Sequence, residues 1–185
     1  MANAGLALGY VTVGHGPAQT PDTWARARAA AERALKLDST LAEAHAALAD
    51  IKLYYEWDWA GAEQAFRWAN ELNPSLAMNH FHYAWYLALV GRLDEAIVEH
   101  ERAQELDPLT SSLSASLGWL YLYVGQYDVA LNEARKALEL NPNDSWGFLT
   151  LGVAYSLKGM HEEAIAAHEK AVAINPLWKW ALGRS

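Results

Sequence analysis

Cysteine is absent from this 185-residue chain, which removes disulfides, thiolate zinc sites and cysteine nucleophiles from its possible chemistry. Basic residues are in the minority. Against 22 Asp and Glu stand 14 Lys and Arg, for a net charge of -8, a balance that repels nucleic acid phosphates and the anionic face of a membrane. Nucleic acid is therefore excluded as the main partner. The start "MANAGLALGYVTVGHGPAQTP" carries no charge and the first basic residue is Arg26, whereas a secretory signal needs a basic opening. One uncharged stretch has the length of a membrane span, "PLTSSLSASLGWLYLYVGQY" at 108–127, but it holds four Ser, one Thr, one Gln and two Gly and fits a repeat better than a bilayer. These gaps lead to the expectation of a soluble, cytoplasmic domain cut from a longer chain, with no membrane insertion.

What the chain does contain is a phrase written three times. "GRLDEAIVEHERAQELDP" at 91–108 returns as "GQYDVALNEARKALELNP" at 125–142 and as "GMHEEAIAAHEKAVAINP" at 159–176, which sets Gly91, Gly125 and Gly159 in register with Pro108, Pro142 and Pro176 at a period of 34 residues. A period of this size marks a helical solenoid, whose units cannot bury a core alone and must stack. Each unit reads as two helices around the register glycine. Between Pro74 and Gly91, "SLAMNHFHYAWYLALV" is apolar on nearly every side, while Leu93, Ala96, Ile97, Ala103 and Leu106 trace one apolar stripe on the second helix. Gly91 suits the left-handed residue that ends the first helix, Asp94 is expected to cap the second, and Pro108 forbids its continuation. Alanines at 96, 130 and 164, and at 69, 103, 137 and 171, recur where two helices would cross closely.

This pattern resembles the tetratricopeptide repeat, whose first helix carries an aromatic, a Leu-Gly pair and a Tyr and whose second carries Ala, an aromatic, Ala and Pro. Residues 109–142 match with Leu117, Gly118, Tyr121, Ala130, Ala137 and Pro142, and residues 143–176 with Phe148, Leu151, Gly152, Tyr155, Ala164, Ala171 and Pro176. In 75–108 the trio becomes Tyr83, Ala84 and Leu87, and His100 takes the aromatic slot. The unit before keeps Ala62, Phe66, Ala69 and Pro74, with a turn one residue longer around Trp57-Asp58-Trp59 that is expected to act as a hydrophobic plug. The first unit keeps Leu8-Gly9, Ala27 and Ala34, has Ser39 where Pro is expected, and stretches its turn to "GHGPAQTPD", with Pro21 read as a helix start. The resemblance implies an all-α, right-handed α-solenoid of five helix-turn-helix units, 1–38, 39–74, 75–108, 109–142 and 143–176, forming one array. The segment 177–185, with Trp178 and Trp180, reads as the beginning of a sixth unit, serving as a cap or as a sticky end for self-association. The "WDWAGAE" and "GRLDEA" texture also resembles the repeat segments of larger bacterial proteins that carry winged-helix, kinase or cyclase domains.

Catalytic chemistry finds little support. His80 and His82 are two residues apart and point to different sides of a helix, so they cannot share a metal. His45 and His80 occupy one repeat position, and His100 and His168 share the aromatic slot of the second helix; all read as packing residues. "HEEAIAAH" lacks the HExxH spacing of a zinc peptidase, and "SSLSASLGW" has hydroxyls without a GxSxG turn. The expectation is no enzyme, no cofactor and no metal.

The nine tryptophans ask for another role. Trp85 and Trp119 are one period apart, at a position that in the family lines a concave groove. The resemblance places Met78, Phe81, Trp85 and Leu89 on that face of one first helix, Ser112, Trp119, Leu122 and Tyr123 on the next, and Trp146, Leu149, Val153, Ser156 and Leu157 on the one after. Glu43, Asp50 and Tyr54 give the lining an acidic amino-terminal end. The Lys, Arg and Asn that clamp acidic chaperone tails in the family are missing from these positions, so that activity is not implied. First helices that are apolar on almost every side must be fully enclosed or offer a second face to a partner. The expected function is an interaction scaffold holding a protein or peptide in an aromatic groove. The alternatives are a sensor or scaffold segment within a larger regulatory chain, and a binder of hydrophobic small molecules.

Overall fold

The computed structural model describes residues 2–14, 20 and 22–184, with the backbone alone for 180 and 182–184. Among these residues the chain is all-helical. The α-helices are α1 (Ala2–Gly14), α2 (Thr23–Leu37), α3 (Ala42–Ile51), α4 (Trp59–Leu72), α5 (Ala77–Leu89), α6 (Leu93–Leu106), α7 (Ser111–Tyr123), α8 (Tyr127–Leu140), α9 (Ser145–Leu157) and α10 (His161–Ile174). A π-helical turn (Lys52–Glu56) follows α3, and a 3-10 segment (Pro176–Arg184) follows α10. The chain forms two compact units, Met1–Tyr86 and Leu87–Ser185. The helix start expected at Pro21 and the turn at 15–19, with His15, lie outside the described residues.

The register glycines behave as their spacing requires. Gly91, Gly125 and Gly159 have φ of +82°, +77° and +75°, the left-handed region that a residue without Cβ enters at no steric cost. Each is followed by an amide that reaches back over the end of the first helix: Arg92 N to Leu87 O at 2.9 Å, Gln126 N to Tyr121 O at 3.0 Å and Met160 N to Tyr155 O at 2.9 Å, satisfying carbonyls the helix leaves open. One period before Gly91 stands Trp57, at φ +57°, a tryptophan in the glycine slot. Four second helices, α2, α4, α8 and α10, end on an Asx residue whose side chain accepts the amide two residues on, whereas Asp107 after α6 accepts from Thr110 Oγ1 at 2.7 Å. Asp38 takes Thr40 N, Asn73 takes Ser75 N, Asn141 takes Asn143 N and Asn175 takes Leu177 N, a turn that competes with helix continuation.

The same register locates the one extra residue of the second unit. Asp38 to Asn73 and His45 to His80 are 35 residues, whereas Trp57 to Gly91 is 34, so the addition lies between His45 and Trp57 and not in the Trp57-Asp58-Trp59 turn. It is absorbed by the π-helical turn at Lys52–Glu56, where the wider ring accommodates one residue more per turn. His45 Nε2 and His80 Nε2 make the same bond in their two copies, to Ser39 O at 2.9 Å and Pro74 O at 3.1 Å, each tying a first helix to the loop before it.

Two sequence expectations are corrected. Arg92 is the residue before α6, and Asp94 lies within its first turn without a capping bond, where its charge favours the positive end of the helix dipole. Capping carboxylates occur instead at Asp58, which accepts from Gly61 N, and at Asp144, which accepts from Trp146 N and Gly147 N. Trp57 is 68% exposed and plugs nothing. The alanine register is enclosed: Ala62 and Ala69 in one unit, and Ala96, Ala103, Ala130, Ala137, Ala164 and Ala171 in the other, all have no exposed surface. A Cβ added to Gly118 would stand 3.1 Å from Ala130 O and 3.0 Å from Thr150 Cγ2, so α7, α8 and α9 meet at a distance only small residues permit.

Candidate partner-binding groove

In the first unit the aromatic face of α3 and α5 is held by internal polar bonds. Asp50 is fully enclosed and accepts from His82 Nδ1 at 2.5 Å. Desolvation pulls the His82 pKa down, and the Asp50 charge and hydrogen bond more than offset it, leaving the imidazole above its ordinary value. Burial, with the Asp50 charge second, pushes the Tyr54 phenol well up. Tyr54 is partly exposed and stacks on Trp24 at 6.4 Å between ring centroids. Phe81 meets Trp85 edge-on at 6.5 Å, both half-buried, while Met78 is exposed and Glu43 half-buried. Asp50 is thus an interior side chain and not part of an open surface.

The second unit opens a cavity. Leu87 to Leu89 complete α5, with Leu89 exposed. On α7, Ser112 and Tyr123 are exposed and Trp119 half-buried; Trp119 Nε1 donates to Tyr123 Oη at 2.9 Å, one helical turn on, and the two rings meet at 90°. On α9, Trp146 and Val153 are half-buried, but Leu149 is enclosed and packs with Ala171, Ala181 and the Trp178 ring. Trp178 Nε1 donates to Ser145 Oγ at 3.2 Å, so this part of the 3-10 segment caps the unit; the Trp180 side chain lies outside the described residues. Between α7, α9, α10 and the 3-10 segment lies a cavity of about 410 Å³, lined by Trp119, Leu122, Tyr123, Val153, Ser156, Leu157, His168 and Ala181. Six of these belong to the groove face read from the sequence. Exposure sets its direction: Tyr123 and Leu157 are 56% and 51% exposed, and His168 and Ala181 are 1% each, so the first pair forms the mouth and the second the floor.

His168 and Ala181 are the lining residues that the sequence reading did not place there. His168 fills the aromatic slot of α10 and packs so closely on α9 that a Cβ on Gly152 would collide with its ring. Its equivalent two periods earlier, His100, donates through Nε2 to Ser116 Oγ at 2.7 Å, because that hydroxyl gives its own proton to Ser112 O at 2.7 Å. Neither ring nitrogen of His168 has a hydrogen-bond partner. Desolvation by burial lowers its pKa, and it lowers that of His100 to about 4. The sequence signal was available: a serine sixteen residues after His100 has no counterpart sixteen residues after His168.

Models of the family described as tetratricopeptide repeat match residues 115–144 and 133–166. No curated protein matches the chain in sequence. Among solved structures, PilF of Pseudomonas aeruginosa is similar with a TM-score of 0.78 and 24% identity, over 94% of this chain and 75% of that one. PilW, described as a widely conserved type IV pilus biogenesis factor, gives a TM-score of 0.77 and 22% identity over 100% of this chain and 86% of its own. YrrB, described as a tetratricopeptide-repeat protein with an unusual peptide-binding site, gives 0.70 and 23% over 99% and 90%. At these identities the likeness establishes the fold.

Proposed function

Given that this chain is a tetratricopeptide-repeat protein, we propose that it is an interaction module that holds a peptide of a partner protein in the apolar groove of its second unit. The observation that carries the reading is the cavity at α7 and α9, whose mouth is framed by Trp119, Tyr123 and Leu157. Its volume of about 410 Å³ falls within the range of pockets that enclose a ligand. Aromatic side chains at such a mouth present large, stiff contact area, the kind that dominates interfaces. Neither α7 nor α9 contains Lys, Arg or Asp, which favours an apolar occupant over a charged tail. The role proposed is binding without catalysis. Ser156 directs its proton to Gly152 O at 2.9 Å, a helix back-bond and not a nucleophile's arrangement. Among the described residues no helix is long and apolar enough to cross a membrane.

The test is a peptide library panned against the purified protein. Selected peptides should shift the NMR signals of the Trp119 indole, Val153 and Leu157, and lose most of their affinity for Trp119→Ala, a truncation expected to cost roughly 2 kcal/mol or more at a hot spot. Helical circular dichroism should be retained. Peptides that bind without touching these signals, or that bind Trp119→Ala at full strength, would place the site elsewhere. The cavity volume also favours a second reading, capture of a hydrophobic small molecule, which native mass spectrometry would reveal as a retained mass.

A further inference from the structure

We infer that the groove of the second unit selects a tyrosine side chain of its partner, whose ring fills the cavity behind Trp119 and whose hydroxyl bonds the His168 imidazole at the floor. The inference rests on the groove being a peptide site and adds the chemistry that the site reads. His168 is 1% exposed and lies at the enclosed end of a cavity whose other walls are mostly apolar, and both of its ring nitrogens lack a partner. A buried polar group without a bond is costly, and the same repeat position is satisfied at His100 by the hydroxyl of Ser116. The fold thus shows what completes an imidazole in this slot, and among the described residues none does so for His168.

The chemistry of the occupant follows from what a neutral, enclosed imidazole can accept. Burial among apolar walls disfavours the charged form of His168, so a carboxylate would find a poor counter-charge and an ammonium would be buried among apolar walls, each at high cost. A neutral imidazole offers one donor and one acceptor, and a hydroxyl serves either. Serine and threonine carry one but are too short to reach the floor while filling the space between Trp119, Val153 and Leu157. Phenylalanine fills the space and leaves the imidazole unmet. Tryptophan can only donate, so it meets the acceptor nitrogen and never the N–H, whereas a hydroxyl meets whichever of the two faces the cavity. Tyrosine combines an apolar ring with a terminal hydroxyl, and its two side-chain torsions cost little entropy to fix.

The experiment titrates the intact chain with the three bare side chains, p-cresol, toluene and 3-methylindole, following the nitrogen-15 shifts of the Trp119 indole and of the His168 ring. Toluene is the more hydrophobic of the first pair and would win on burial alone. We expect p-cresol to bind about 3- to 10-fold tighter than toluene, the worth of one net hydrogen bond, to bind tighter than 3-methylindole, and to shift the His168 nitrogens. In His168→Phe the order of p-cresol and toluene should reverse; phenylalanine suits the slot, since Phe66 holds it in another copy. The wild-type comparison stands by itself if that variant fails to fold. Toluene or 3-methylindole binding as tightly as p-cresol overturns the tyrosine inference and leaves the groove standing. No response from any probe, together with panned peptides that avoid the groove, overturns both.

Discussion

Asp50 Oδ2 stands 2.5 Å from His82 Nδ1, with the Asp50 side chain 1% exposed and that of His82 19%. The relation joins α3 to α5 by a buried charge pair. Its effect on stability has a definite sign. The His82 pKa is raised in the folded chain, so the stabilisation is fully present below the unfolded value of about 6.5 and is lost as pH rises through the folded value. At pH 6, His82→Leu takes the imidazolium from beside a buried carboxylate and should cost about 3 to 5 kcal/mol. Urea unfolding of both proteins from pH 6 to 9 should show that gap narrowing. A gap independent of pH would mean that His82 is held by packing alone.

His100 gives the opposite slope. Burial lowers its pKa to about 4, so the folded chain excludes a proton that the unfolded chain takes up below about pH 6.5. Stability should therefore fall as the solution is acidified from pH 6.5 towards 4, by an amount on the order of 3 kcal/mol for this residue. His100→Phe should remove that contribution. Urea midpoints at a series of pH values measure it, and an acid slope identical in the two proteins would assign the effect to other groups.

Trp57 is strained. It occupies a register-glycine position at φ +57°, where a residue with a Cβ is disfavoured by about 1 to 2 kcal/mol. Its ring is 68% exposed, so little packing is lost with it. Trp57→Gly should raise the melting temperature by about 2 to 4 °C per kcal/mol gained in a chain of this size. A lower melting temperature would show that the contact with Trp59, at 6.4 Å between ring centroids, holds the turn more strongly than the backbone strains it.

The close crossings of the second unit should refuse added volume. Ala130→Leu and Ala164→Leu each enlarge a residue with no exposed surface, and overpacking of this kind costs about 1 to 3 kcal/mol. Gly152→Ala should be at least as severe, because its Cβ would collide with the His168 ring. Adding His168→Ala should recover part of that loss, a coupling that a double-mutant cycle measures by thermal unfolding. Additive losses would show that the two residues do not share the space.

The sequence by itself determined the helical pairs and the places where they turn. A Gly at 91, 125 and 159 and a Pro at 108, 142 and 176 are demands of the local backbone, so they can be read without knowing any neighbour. The alanines were legible for the same reason, since a small residue recurring every 34 positions announces a crossing. Tertiary structure decided which polar residues were left over. Asp50 and Tyr54 share one helical turn in sequence, yet only the packing of α5 encloses Asp50 against His82 and leaves Tyr54 partly open. Leu149 and Val153 lie one helical turn apart, and it is the 3-10 segment, through Ala181, that encloses the first. The extra residue near Trp57 shows in the count, but its absorption as a π-helical turn depends on the Trp57 backbone keeping the glycine register. His168 makes the division plainest. Its slot follows from the period, whereas its missing partner and the cavity above it depend on the helices and 3-10 segment that pack around it, because hydrogen-bond satisfaction belongs to the neighbours a side chain meets and not to its place in the chain.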